Sequence, residues 1–226
     1  MPRLATIYLR LIAVLGLAAW VGAIAWYAPW DHFGTRILAS GLVPTAAILL
    51  GLTVLSTLSP VPTRGGGHLS VGIAPLFAAI VFPLPPWMVM TLAALGTIDQ
   101  RIPGRQIPWN QFLFNRGQFT LSFGIPSIVV TAIAGGAPPS ATSMIVAALL
   151  IYLLNTGLMS MAIGLIRNVS VFAAARAALW SNALTWVGLP LIGILIARLL
   201  HAPRFTDQLV VFLLYGPLLI YRASIQ

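Results

Sequence analysis

Apolar residues along this chain gather into long runs at 4–28, 35–58, 71–98, 112–134, 141–166, 179–200 and 208–221, separated by short breaks rich in arginine, proline or glycine. A run of about 20 apolar residues is the length of helix that crosses a bilayer, so the pattern predicts a bundle of transmembrane helices with little outside it. The third run is different. Its middle reads Phe82-Pro83-Leu84-Pro85-Pro86-Trp87, and proline removes an amide donor and disfavours helix in the residue before it. Each half is about 12 residues, roughly 18 Å of helix against a hydrocarbon core of about 30 Å. The segment 71–98 is therefore either one kinked crossing or a re-entrant hairpin that leaves by the side it entered.

Charge favours one of the two. The chain carries 12 Lys plus Arg and three Asp plus Glu, for a net charge of +9; all the basic residues are arginines, and the acids are Asp31, Asp99 and Asp207. A kinked crossing distributes the arginines seven against five. A hairpin places Arg3, Arg10, Arg64, Arg101, Arg105, Arg116, Arg167, Arg176 and Arg222 on one side against Arg36, Arg198 and Arg204. The excess of arginine on cytoplasmic loops favours the hairpin, with about six crossings and both termini in the cytoplasm of a bacterial inner membrane. Irregular backbone at membrane depth must be covered by protein, so this reading expects the stretch 83–87 to be buried in the bundle.

Composition narrows the class. At 59% hydrophobic and 7% charged residues, with mean hydropathy +0.98, the chain lacks the charged surface of a soluble domain. One all-α polytopic membrane bundle over 1–226 is expected. Scattered arginines form no basic face for nucleic acid; they are topology signals that touch anionic headgroups. With no cysteine, disulfides, thiolate metal sites and thiol nucleophiles are excluded. The first run is preceded by Arg3 and Arg10 but ends in Trp26, Tyr27 and Trp30 rather than a small-residue cleavage site, so it reads as a retained span.

Catalytic chemistry fails on inventory. There is no glutamate, lysine or cysteine, and no serine or histidine stands in a nucleophile motif. Thr63-Arg64-Gly65-Gly66-Gly67-His68 lacks the lysine and hydroxyl of a phosphate-binding loop and reads as a linker. His32, His68 and His201 fall near membrane boundaries, and no metal set is assembled from them. Polar groups inside the spans are more informative, because they are costly there and face a partner. Gln111, Asn115 and Gln118 share one helix face by their spacing, and Asn155, Thr156, Asn182, Thr185 and Trp186 add polar groups to the next two spans. Gln111, Asn115, Gln118, Asn155 and Asn182 are the candidate ligand-binding residues, with interhelical hydrogen bonding as the alternative role. Ala18 with Gly22, Ala19 with Ala23 and Ser160 with Gly164 suit close helix contact.

Several of these stretches resemble the N-terminal multi-span membrane region of bacterial signalling proteins that carry an HD-GYP phosphodiesterase or GGDEF cyclase domain. They are the interrupted run from Leu69-Ser70-Val71 to Ile98-Asp99, the Trp109 to Ser122 segment with Phe114-Asn115 and Gln118, Tyr152-Leu153-Leu154-Asn155-Thr156, and Tyr215-Gly216-Pro217-Leu218-Leu219-Ile220-Tyr221-Arg222. The resemblance covers the chain from about Gly41 onward. It implies a sensory or docking module. Since this sequence stops at Ala223-Ser224-Ile225-Gln226, it further implies action through a membrane protein partner or a small apolar ligand. Two other readings stand beside it: an S-component-like substrate-binding subunit of an importer, and an accessory subunit of a bioenergetic or photosynthetic complex. No cofactor is named by the sequence.

Overall fold

The computed structural model describes residues 1–28, 41–58, 61–62, 68–69, 72–99, 101–202 and 204–215, with backbone alone at 61–62, 68–69, 179–186, 205 and 214–215. The helices are α1 (Arg3–Tyr27), α2 (Leu42–Leu58), α3 (Ile73–Val81), α4 (Pro86–Gly96), α5 (Trp109–Ala134), α6 (Ala141–Arg167), α7 (Val171–Leu200) and α8 (Phe205–Gln208), followed by a 3₁₀ segment, Leu209–Tyr215. One short antiparallel pair, β1 (Val61–Pro62) with β2 (His68–Leu69), lies between α2 and α3. By length and composition α1, α5 and α6 can each cross a membrane; α2, α4 and the 187–200 part of α7 are shorter apolar helices. Of the six crossings expected, three thus meet both criteria among the described residues. The upstream part of the run 35–58 and the end of the run 208–221 lie outside them.

Helix ends follow local chemistry. Glycine at 135 takes the left-handed conformation (φ 56°) that closes α5, and Asn168 does the same for α6 (φ 54°); Gly and Asn tolerate that region best. The Ser140 side chain accepts from the Ser143 amide to cap α6. Within the helices, Thr53, Ser56, Thr91, Thr97, Thr120 and Thr131 each donate to the carbonyl four residues back, which lets hydroxyls sit in apolar helices without an outside partner. The last long helix starts at Val171, eight residues before the apolar run that predicted it. Exposed Phe172 and Arg176 lie on these extra turns, where the mixed sequence hid the helix from a hydropathy reading.

Packing fixes the direction of each element. Buried positions on α1 are Ala5, Leu9, Ile12, Gly16 and Ala23, a single stripe of helical spacing, while Leu4, Ile7, Leu11 and Val14 are exposed. That stripe meets α5 in parallel: the Tyr8 and Phe114 rings are 6.0 Å apart, Gly16 faces Gly117, and Tyr27 shares a cavity wall with Thr131 and Ala134. A Cβ on Gly16 would stand 2.3 Å from Gly117 Cα, and one on Gly117 would stand 2.6 Å from the Ile12 carbonyl oxygen. The two backbones touch. The small-residue pairs picked out by spacing alone lie elsewhere: Gly22 meets nothing within 4 Å, and Gly164 meets Val169 and Val171 at the α6–α7 turn.

Residues 72–98 fold as a helical hairpin. The α3 leg runs beside α7 in the same direction, with Gly193 against the Ala74 carbonyl and the Phe82 ring 4.6 Å from that of His201. The α4 leg runs back against α5, with Met90 over Gly124 and the Ala94 carbonyl accepting from Arg116. Its last residue, Gly96, accepts from Thr57 near the end of α2 at 3.0 Å. Every residue of α3 except Val81 is buried, as are most of α4, in agreement with the demand for covered backbone. The tip departs from expectation. Leu84 and Pro86 are buried, but Pro83 is exposed, because the tip reaches the level of the α5 C-terminus and the 136–139 turn instead of stopping at mid-depth.

Two ends result. One, the arginine end, gathers the N-terminus, the last residues of α2, α4 and α6 and the first of α5 and α7, with Arg3, Arg10, Arg101, Arg105, Arg116, Arg167 and Arg176. The other, the proline end, holds the hairpin tip and the α5–α6 turn, with Arg198 and Arg204. Arg36, Arg64 and Arg222 lie outside the described residues. At the arginine end Arg101 binds Asp99 through two side-chain contacts of 2.7 and 2.9 Å, which holds the Asp99 carboxyl below its ordinary pKa. A Gly117→Ala substitution should destabilise the bundle by about 1–3 kcal/mol through forced separation of α1 from α5, whereas Gly22→Ala should leave it unchanged; unfolding in mild detergent under titrated denaturant measures both.

Candidate functional site

The polar stripe predicted on α5 is real, and its members have different surroundings. Gln118 is fully buried; its Nε2 donates to Ser122 Oγ at 3.2 Å and to Asn155 Oδ1 on α6. Asn115, one turn earlier, is half-buried, with no side-chain hydrogen bond among the described residues. Gln111 sits at the helix start near the Met1 sulfur, at 4.0 Å. The Asn182 side chain, with those of Thr185 and Trp186, lies outside the described side chains, as do His32 and His68. Of the candidate residues, then, Gln118 and Asn155 are brought together. Among the described residues, Gln118 Oε1 and, on α6, Ser160 Oγ remain buried without a hydrogen-bond partner, and such groups are costly at low dielectric.

Beside this polar layer, one tryptophan and one tyrosine donor tie α1 to its neighbours. Trp20 Nε1 donates to Thr91 Oγ1 on α4 at 2.9 Å, and Tyr8 Oη to the Leu158 carbonyl on α6 at 3.0 Å. These bonds join elements far apart in sequence, which is why spacing did not reveal them. Near-planar stacking of Phe119 on Phe123, 6.0 Å between centroids, fills the α5 face that meets the hairpin.

Two cavities nearer the proline end touch the hairpin. The larger, about 530 Å³, is an apolar cleft between α6 and α7 in the half of the bundle nearer the proline end; Met144, Ala148, Tyr152, Pro190 and Ile194 form its walls and Phe77 of α3 its floor. A second, about 400 Å³, lies under the tip between Leu84, Pro86, Ser127, Thr131 and the 136–139 turn. Both fall in the range of small-molecule sites, about 300–1,000 Å³. The cleft offers apolar contact and shape, not charge. Among the described residues no group of three or more His, Cys, Asp or Glu gathers to hold a metal ion.

The buried pair has a measurable signature. Gln118→Leu should cost about 1–2 kcal/mol by leaving Asn155 Oδ1 unpaired, and adding Asn155→Leu should recover most of that loss, since two apolar partners need no hydrogen bond. A double-mutant cycle of detergent unfolding reads the coupling.

Comparison with known proteins agrees with this picture of a membrane bundle. The family model MASE9 matches residues 32–222, from the stretch before α2 to beyond the 3₁₀ segment. Neither the curated proteins nor the solved structures contain a match. With a match over most of its length, the chain belongs to the MASE9 family, one of the membrane-associated sensory domains.

Proposed function

We propose that this chain is a non-enzymatic sensory module of a bacterial inner membrane, which takes a small apolar ligand from the bilayer into the α6–α7 cleft and reports its presence through the helical hairpin. The observation that carries this reading is the floor of the cleft: Phe77 belongs to the short hairpin leg α3, so an occupant touches an element not anchored as a full crossing. Ligand binding then selects between two positions of that leg, and its differential affinity sets how far the balance moves. In this reading the Gln118–Asn155 pair holds α5 on α6 as a fixed frame, and Asn115 and Gln111 stand nearer the arginine end, available to a partner.

The orientation proposed puts the arginine end, with both termini, in the cytoplasm, since basic residues are retained on that side. The resemblance to the membrane regions of HD-GYP and GGDEF proteins supports an output in cyclic-dinucleotide signalling, with the catalytic domain carried in cis or supplied by a membrane-associated partner. The family match bears on this sensory reading and lends nothing to the importer or bioenergetic ones. About six crossings, with α2, α7 and the apolar run 208–221 added to α1, α5 and α6, are part of the proposal.

Two results are expected. In a chain without native cysteine, Ile102→Cys should react with an impermeant thiol reagent only in inside-out vesicles, and Ala137→Cys only in right-side-out ones. Protein purified in mild detergent from its native membrane should carry about one apolar small molecule per chain, as expected for a pocket this size, and Ala148→Trp, which fills the cleft, should remove it. Labelling of Ile102→Cys from outside would invert the orientation, and an empty cleft in the native preparation would move sensing to protein contacts.

A further inference from the structure

Arg116 is seven residues into α5, about 10 Å from its start, at the arginine end. Its Nη1 donates to the Ala94 carbonyl in the last turn of α4, and its guanidinium carbon is 4.6 Å from the Phe112 ring centroid. These contacts account for part of the side chain. A guanidinium has five N–H donors, and Arg116 Nε is buried with no partner among the described residues. Nor does a carboxylate accompany it among the described residues: Asp99 is bound to Arg101, and Asp207 is at the other end, beyond α7. An arginine in a membrane helix without a counter-charge is expensive.

A groove of about 260 Å³ adjoins this cation. Arg116, Gly117 and Thr120 of α5, Gly16 and Leu17 of α1 and Leu95 of α4 are among its walls, and it opens at the exposed side chains Leu17, Leu95 and Leu113, which face the acyl chains of the bilayer. Thr120 donates to the Arg116 carbonyl at 2.8 Å, so its hydroxyl is already engaged. The groove therefore combines one incompletely satisfied guanidinium with an apolar wall running away from it. Half of that wall is α1, which lies outside the stretch matched by the family model.

We propose that this groove binds one anionic phospholipid, the phosphate pairing with Arg116 and an acyl chain lying along Leu17, Leu95 and Leu113. Charge complementarity selects the occupant: the chain has a net charge of +9, Arg116 lacks a carboxylate, and a planar guanidinium matches phosphate through two parallel hydrogen bonds. The depth fits as well, since an arginine about 10 Å into a helix reaches the headgroup level along its own stem. The lipid supplies the missing counter-charge. It also cements α1 to the α4 leg of the hairpin, independently of any ligand in the α6–α7 cleft.

Binding of phosphatidylglycerol, phosphatidylcholine and inorganic phosphate to the delipidated full chain in mild detergent tests the proposal, with bound lipid counted by native mass spectrometry. The expected result is one tightly held phosphatidylglycerol in preference to phosphatidylcholine, unaffected by millimolar inorganic phosphate, and a loss of roughly tenfold or more in affinity in Arg116→Gln, as for a lost charge-assisted pair. Arg116→Lys should fall between the two. If Arg116→Gln does not fold, Leu17→Trp blocks the groove from the lipid side with the charge intact, and it should lose the same lipid. Unchanged phosphatidylglycerol binding in either variant overturns the proposal, and so does displacement of the lipid by inorganic phosphate, which would make the site one for a free anion.

Discussion

The bundle is organised around one constraint: a helix too short to cross the bilayer cannot leave its ends in hydrocarbon, so the hairpin of α3 and α4 has to be enclosed by everything else. Nine and eleven residues long, these legs expose peptide groups at their ends that lipid cannot satisfy. The surrounding helices are shaped to hold them. Gly193 lets the Ala74 carbonyl approach α7, Gly124 makes room for Met90, and Thr57 donates to the terminal Gly96 carbonyl. A protein this apolar gains little from hydrophobic burial between helices already in lipid, so close van der Waals contact and these few hydrogen bonds carry the association.

The same constraint explains where polar groups are tolerated. Serine and threonine hydroxyls fold back on their own helices, while Gln118 bonds to Asn155 and Trp20 to Thr91 across helices, and each of these two cross-links touches α5 or α4. Arg116 belongs to the same layer, on the lipid-facing side of that wall. On the proposed reading, sensing in such a bundle rests on shape and apolar contact in the α6–α7 cleft.

Much of this was legible in the sequence. Three prolines in six residues declared the break in 71–98, and the distribution of arginines favoured the return path before any contact was known. The i, i+4, i+7 spacing of Gln111, Asn115 and Gln118 gave the polar face of α5. What remained hidden depends on pairing in space. Nothing local distinguishes Gly16 and Gly117, whose backbones touch, from Gly22, which meets nothing; the difference lies in which helix stands opposite. The early turns of α7 escaped notice because Arg176 interrupts their hydropathy, and the union of Gln118 with Asn155 required the register of α5 on α6. The exposed Pro83 followed from where the tip stands, beside the 136–139 turn, which depends on the hairpin's neighbours.

The parallel course of α3 and α7 has a mechanical meaning. These rods touch at Ala74 with Gly193 and again at Phe82 with His201, so they are coupled at two heights, like rails joined by two sleepers. On the proposed reading, a push delivered at Phe77, between the two joints, would be carried to the tip of the hairpin and to the exit of α7 together. The order of contact in the molecule is therefore not the order of the chain: residues more than a hundred positions apart are joined directly, and in the proposed mechanism they would move together against the long stretch of sequence between them.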